Sequence, residues 1–269
     1  MHVECAPMAG YTNVDFRRVL ANCGAKVLYT EMVSAAAIWY GNKKTLKLLE
    51  RVDAPNVTQV VQLFGHVPEQ FKNAITNGCL LGFDEININM GCPANKVVKN
   101  SDGVALMSSP DLAREIIETC VKAAKVPVTV KMRLGKSPDA TASSYVAFAK
   151  MCEMAGAKKL IVHGRYGSQG YSGVADWNAI AEIVSAVKIP VIANGDIKSL
   201  ESAQQCLEIT KASGVMVGRA LLRIYKKYFP NKLQILRGEK IANALGVDPN
   251  LDSVIRIFGG GGRSAEGTD

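Results

Sequence analysis

The chain has 269 residues, 48% of them apolar and only 6% aromatic, with a formal charge of +8 and a pI near 9.1. That length suits one large α/β domain or two small ones with an aliphatic core, and no apolar run reaches a membrane span or reads as a signal peptide before the first predicted strand. The positive excess favours an anionic partner without identifying it. Seven cysteines without a Cys-x-x-Cys pair, and three histidines without ligand spacing, argue for a reducing, cytoplasmic compartment and against a disulfide framework or a metal site.

Short apolar runs alternate with helical patterns. Strands are predicted near Glu4–Met8, Val27–Met32, Thr58–Phe64, Glu85–Asn89, Val128–Met132, Leu160–His163, Val191–Asn194 and Gly214–Val217. Their centres lie roughly 30 residues apart, the spacing a strand, a crossover helix and two loops require. Leu112, Ile116, Ile117, Cys120, Val121 and Ala124 repeat at helical spacing behind Ser109-Pro110, an N-cap and first-turn proline. Tyr145, Phe148, Ala149, Cys152 and Ala155 repeat likewise, with Gly156 as a stop. Eight such units most simply close into a (β/α)8 barrel, a TIM barrel, over residues 1–230. The alternative is an open doubly wound sheet, but no Gly-x-Gly-x-x-Gly follows the first strand.

In a barrel, ligands sit at the C-terminal strand ends. Nearly every predicted end carries a polar or glycine residue where the apolar run stops, including Gln62, Asn89, Lys131 and His163. The fourth end reads Asn87-Ile88-Asn89-Met90-Gly91-Cys92-Pro93-Ala94-Asn95-Lys96. Gly-Cys-Pro is a stiff corner, with Pro93 fixing its own φ and biasing Cys92 toward extended backbone. A thiol there is either a small buried hydrophobe or a group facing a ligand, and the surrounding amides favour the second. Gly195 and Gly218 with Arg219 either form a phosphate cradle or merely shape tight loops. Lys131 would be expensive to bury without an anionic partner. His163 is a satisfied rim histidine or a cofactor ligand.

These segments together resemble the tRNA-dihydrouridine synthase family, flavoenzymes with an FMN-binding barrel. The resemblance runs from Ala6-Pro7-Met8-Ala9-Gly10-Tyr11 through Glu31-Met32, Gln62-Leu63-Phe64-Gly65, the Gly91-Cys92-Pro93 segment, Val130-Lys131-Met132-Arg133 and Val162-His163-Gly164-Arg165. It ends with Gln169-Gly170-Tyr171, Asp176-Trp177, Asn194-Gly195-Asp196 and Gly218-Arg219, covering roughly residues 4–220. It implies FMN across the barrel mouth, held by Pro7, Met8, Gln62, Lys131, His163, Asn194, Gly195, Asp196, Gly218 and Arg219. It implies Cys92 as the general acid, Asn89 positioning the uracil, and Arg165 meeting RNA phosphate or the target nucleotide. Reduced FMN would give hydride to C6, Cys92 would protonate C5, and NADPH would regenerate the flavin on a uridine turned out of its tRNA. A monomer is expected, with no metal and no membrane.

The sequence also departs from the family pattern. Tyr166-Gly167-Ser168 stand where Thr-Arg is usual, and Leu221-Leu222-Arg223-Ile224-Tyr225-Lys226-Lys227 replace an Asn-Pro-Trp-like continuation. Most of the family's C-terminal helical domain is expected to be lacking: residues 231–258 read as a short helical remnant and 259–269 as a disordered Gly-rich tail. Ala220–Phe229 is predicted helical, with Leu221, Leu222 and Tyr225 inward and its basic residues outward. An FMN barrel acting on a free pyrimidine, or an RNA-binding remnant without turnover, are the competing readings.

Overall fold

The computed structural model describes residues 1–139, 142–228, 254 and 256–258. Eight parallel strands close into a barrel in sequence order, β1 Val3–Cys5, β2 Val27–Ser34, β3 Thr58–Phe64, β4 Glu85–Met90, β5 Val128–Met132, β6 Leu160–His163, β7 Val191–Asn194 and β8 Gly214–Val217, with β8 paired to β1. The expected bounds hold for β3 and β5–β8. β1 ends earlier than expected because Pro7 has no amide to donate: the Ala6 amide still bonds the Val217 carbonyl of β8 at 2.8 Å, and Pro7 and Met8 then leave for the mouth. β2 runs on to Ser34 through a register shift between Tyr29 and Met32.

Strand alternation divides the apolar residues into two cores. Outward residues such as Ile86, Ile88, Met90, Val130 and Met132 pack against the helices, and the helix Pro110–Ala123 buries Ala113, Ile116, Ile117 and Cys120 against them. Ser109 takes the N-cap position there, but its hydroxyl makes no capping bond, and Pro110 alone starts the turn. Inward, Ala6, Val27, Tyr29, Val60, Ile161, Ile192 and Met216 form a separate cluster.

After β8 the chain makes a 3-10 turn, Arg219–Leu221, and then the helix Leu222–Tyr228. Leu221, Leu222, Ile224 and Tyr225 are buried, with Tyr225 edge-on to Phe16 at 5.0 Å and to Tyr11 at 5.2 Å. The expectation that all the charges of this helix point outward is corrected at Arg223, which is half-buried and lines the barrel mouth. Of the expected helical remnant, only Val254 and the turn Arg256–Phe258 are described; Val254 and Ile257 are buried, and the turn packs on the helix Leu200–Thr210. The remainder of that segment and the Gly-rich tail 259–269 lie outside the described residues.

Candidate active site

A cavity of about 440 Å3 opens at the C-terminal ends of the strands. Pro7, Met8, Gln62, Asn89, Cys92 and Lys131 line it from one side, His163, Asn194, Gly195, Asp196, Gly218 and Arg219 from the other. Every residue the sequence singled out for the site is therefore at this mouth, except Arg165.

The Cys92 corner is built by β4. Glu85, Asn87 and Asn89 share the inward face, and Asn89 Oδ1 accepts the backbone N–H groups of both Gly91 (3.1 Å) and Cys92 (2.9 Å). Its Nδ2 donates to Gln62 Oε1 at 2.9 Å. The Cys92 carbonyl accepts the Val104 amide at 3.1 Å, and Gly103 passes so close, at φ 62°, that a Cβ there would lie 2.6 Å from that oxygen. The half-buried thiol is pushed up from its ordinary range, chiefly by burial, which outweighs the Ala94 backbone and the Arg133 and Lys131 charges. Near neutral pH it therefore keeps its proton. All seven cysteines are free.

β5 sends two cations into the mouth. Lys131 Nζ donates to Asn194 Oδ1 at 3.0 Å, while Asn194 Nδ2 is fixed by the Met216 carbonyl at 2.8 Å. Burial first, and then Arg133, draw the Lys131 ammonium down to about 7. Arg133 donates to the Gly91 carbonyl (3.0 Å) and the Tyr166 carbonyl (2.8 Å), tying the thiol corner to the loop after β6. Arg133 was not among the expected site residues; the signal was its alternation with Lys131, which places both on the inward face.

The opposite rim is an ion-pair hub. Asp196, at φ 58°, accepts two bonds from Arg165 (2.9 and 2.7 Å), one from Arg219 (3.1 Å) and one from the Ala175 amide (2.8 Å). Burial would raise its carboxyl, but the Ala175 amide and the two guanidinium groups hold it below the usual range. Gly195, at φ 118°, leaves room for this hub: a Cβ there would sit 2.6 Å from Ala175 Cβ and 3.0 Å from His163. The Trp177 indole N–H holds the Gly195 carbonyl at 3.1 Å. Buried among Lys131, Arg133, Arg165 and Arg219, His163 is pushed far below its ordinary range, first by burial, and is neutral.

Arg165 differs from expectation. It is 1% exposed, and besides Asp196 it donates to the carbonyls of Ser172 (3.0 Å) and Gly173 (2.8 Å) and lies 3.3 Å from His163 Nε2. With its donors turned inward it braces the rim and does not reach the mouth. Tyr171, given no role in the sequence, carries the Arg219 guanidinium 4.8 Å above its ring centroid and Arg133 at 5.8 Å.

The sequence profile of the family described as Dihydrouridine synthase matches residues 4–226, most of the chain. The chain belongs to that family. It is 42% identical over 218 residues to a probable tRNA-dihydrouridine synthase of Rickettsia bellii, covering 81% of this chain and 66% of that protein. It is also 42% identical over 218 residues to a probable tRNA-dihydrouridine synthase 1 of Synechocystis, covering 81% of this chain and 60% of that protein. The chain thus spans about two thirds or less of these relatives. Among solved structures, the BexX/CysO complex of Amycolatopsis orientalis matches over 93% of each chain with a TM-score of 0.52 and 20% identity, a likeness of fold alone.

Proposed function

We propose that this dihydrouridine synthase-family barrel reduces uridine in tRNA to 5,6-dihydrouridine, with FMN at the mouth and NADPH as reductant. The observation that carries the reading is a thiol, Cys92, on a corner braced by Asn89 and facing the same cavity as a cluster of cations opposed by a single acid, Asp196, among the lining residues. The donor set fits FMN. The volume is that of a cofactor pocket, Lys131 stands ready for an electron-rich ring, and Arg219 with the Gly195 and Gly218 turns suits a phosphate. Pro7, Met8, Gln62, His163, Asn194 and the Asp196 backbone would complete the cradle.

Bound in this cradle, FMN would supply hydride chemistry at C6, with NADPH as the reductant. Cys92 holds the proton at Sγ for C5, so that one hydride and one proton add across the double bond. Its elevated pKa suits an acid that must arrive protonated. Asn89 keeps the thiol corner in place and borders the space for the uracil. Arg165 contributes by holding Asp196, and through it Arg219, rather than by meeting RNA.

The test is direct. The purified protein should show a flavin spectrum and oxidise NADPH with unmodified tRNA, yielding dihydrouridine detectable by mass spectrometry, and should do so poorly with free uridine. Turnover of free uridine alone would transfer the reading to a pyrimidine reductase, and flavin without product from either would leave a binding protein.

A further inference from the structure

The barrel interior has two unlike halves. Toward β6–β8 and β1 the middle of the interior is apolar, with Ile161, Ile192, Met216 and Ala6, and polar inward residues stand only at its ends, Glu4 below and His163 and Asn194 at the mouth. Toward β3–β5 the inward residues include Gln62, Asn87, Asn89, Thr129 and Glu85, every one buried. Register places Gln62 beside Asn87 and Asn87 beside Thr129. Groups buried this deeply must be hydrogen-bonded. They are, in one file that runs in one direction. The Cys92 and Gly91 amides donate to Asn89 Oδ1; Asn89 Nδ2 donates to Gln62 Oε1 at 2.9 Å; and Gln62 Nε2 donates to Asn87 Oδ1 at 2.8 Å. Asn87 Nδ2 then donates to Thr129 Oγ1 at 2.9 Å, and the Thr129 hydroxyl to Glu85 Oε1 at 2.6 Å. The other Glu85 oxygen takes Lys159 Nζ at 2.9 Å, which also holds Glu4 at 2.8 Å.

The direction follows from the bottom of the barrel. A carboxylate only accepts, so Thr129 must donate to Glu85 and has its oxygen left to accept. Asn87 must then turn its NH2 to Thr129 and its oxygen to Gln62. The same choice passes to Gln62 and to Asn89, whose oxygen is left for the Gly91 and Cys92 amides. Bonds aligned head to tail reinforce one another at low dielectric. We propose that Glu85, held by Lys159, is a positioning residue for Cys92: its charge sets the orientation of the Asn87, Gln62 and Asn89 amides and so fixes the corner that carries the thiol. The catalytic meaning rests on the proposed role of Cys92; the relay itself does not.

Glu85→Gln tests it with almost no change of shape. The new NH2 must face either Lys159 or Thr129, and an ammonium refuses it, so it faces Thr129. If Thr129 accepted from both neighbours its own buried O–H would lose its partner, so it donates to Asn87, each amide reverses, and Asn89 presents NH2 to two backbone N–H groups. In protein without substrate or NADPH, amide exchange at Gly91 and Cys92, resolved by NMR, should speed roughly tenfold, as for one lost hydrogen bond. The pH midpoint for alkylation of Cys92 should move down as the corner admits water. Thr129→Val cuts the relay without a charge change; it should loosen the same two amides, and in its background Glu85→Gln should add nothing. Unchanged exchange at the corner in Glu85→Gln, or an equal effect of Glu85→Gln with and without Thr129→Val, would overturn the proposal. Should Glu85→Gln not fold, Thr129→Val alone decides, and wild-type protection at Gly91 and Cys92 in that variant overturns it. A corner that opens as expected in a protein that makes no dihydrouridine would sink the proposed function and leave the relay standing.

Discussion

The two rims of the mouth are organised on opposite principles. The Cys92 rim is held by a file of neutral amides that ends far below on the ionised Glu85, Lys159 and Glu4, with Arg133 as one cation bonded to the Gly91 carbonyl at the top. The β6–β8 rim is held by charge itself, with Arg165 and Arg219 converging on Asp196. The difference teaches what each can offer. A thiol on an amide scaffold, where burial outweighs the nearby Arg133 and Lys131 charges, stays protonated. A rim with more cations than acids keeps positive charge to spare for an anion.

The largest effect should separate the two rims by function. On the proposed reading, Cys92→Ala lowers dihydrouridine formation at least about 100-fold, the usual range for a lost general acid, and leaves flavin content as in wild type. Arg219→Glu should do the reverse in order of cause, shedding flavin on dialysis and losing activity with it. The pair is read by absorbance and by product analysis. Full product from Cys92→Ala would break the comparison at its first term.

Stability should separate them next. Asp196→Ala strands the Arg165 guanidinium, 1% exposed, without its anion. Leaving a buried charge unpaired costs about 3 kcal/mol or more. Thr129→Val, which orphans the Asn87 amide and takes one donor from a Glu85 carboxylate that Lys159 still pairs, should cost about 1–3 kcal/mol. Urea unfolding of the two variants gives the order; a cheaper Asp196→Ala would mean that the Ser172 and Gly173 carbonyls suffice for Arg165.

Local signals made the barrel and the outline of its mouth readable. Short apolar runs about 30 residues apart located the strands, and the polar residue ending each run located the rim. The alternation in Glu85-Ile86-Asn87-Ile88-Asn89-Met90 is visible in the chain, with isoleucines for the helices and amides for the interior. What was not readable is pairwise and long-range. Asn87 meets Thr129 42 residues away, and Arg165 meets Asp196 31 residues on. Nothing local says that Arg165 will turn inward, since an arginine at a strand end suits a ligand and a carboxylate equally. Arg223 was misplaced for a related reason: helical periodicity gives the face, and only the docking of the helix through Tyr225 onto Phe16 and Tyr11 decides what that face meets.

A smaller effect concerns pH and Lys131. Its ammonium is drawn down to about 7 before any ligand arrives, so it is charged below that pH and neutral above it. An anion at the mouth restores the charge and takes up a proton on binding. Flavin mononucleotide should therefore bind the apoprotein less tightly as pH rises above about 7, by up to about tenfold per unit. For folding the sign is opposite: the unfolded lysine keeps its proton to higher pH than the folded one, so this group's contribution to stability increases from about 7 upward until the unfolded chain also deprotonates. Lys131→Met should flatten the binding profile. A slope that persists in Lys131→Met would assign the titration to another group.

The smallest effect asks where the cationic rim ends. Arg223 lines the mouth, and Lys226, exposed, follows it by three residues in the helix Leu222–Tyr228. Residues three apart share a helix face, so Lys226 extends the line of Arg219 and Arg223 by one turn away from the cavity. A solvated lysine that meets nothing would contribute nothing to RNA binding. A lysine on a phosphate releases a counterion, and each such contact steepens the fall of affinity by about 0.7–0.9 log unit per tenfold increase in salt. Lys226→Gln should reduce the salt slope of tRNA binding by one contact of that size, at unchanged flavin content, because the side chain lies beyond the cofactor cradle. Arg223→Gln should flatten the slope by a similar amount. If Arg223→Gln flattens the slope and Lys226→Gln leaves it alone, the rim stops at the cavity edge, and the remaining RNA contacts belong to surfaces on other strands' loops.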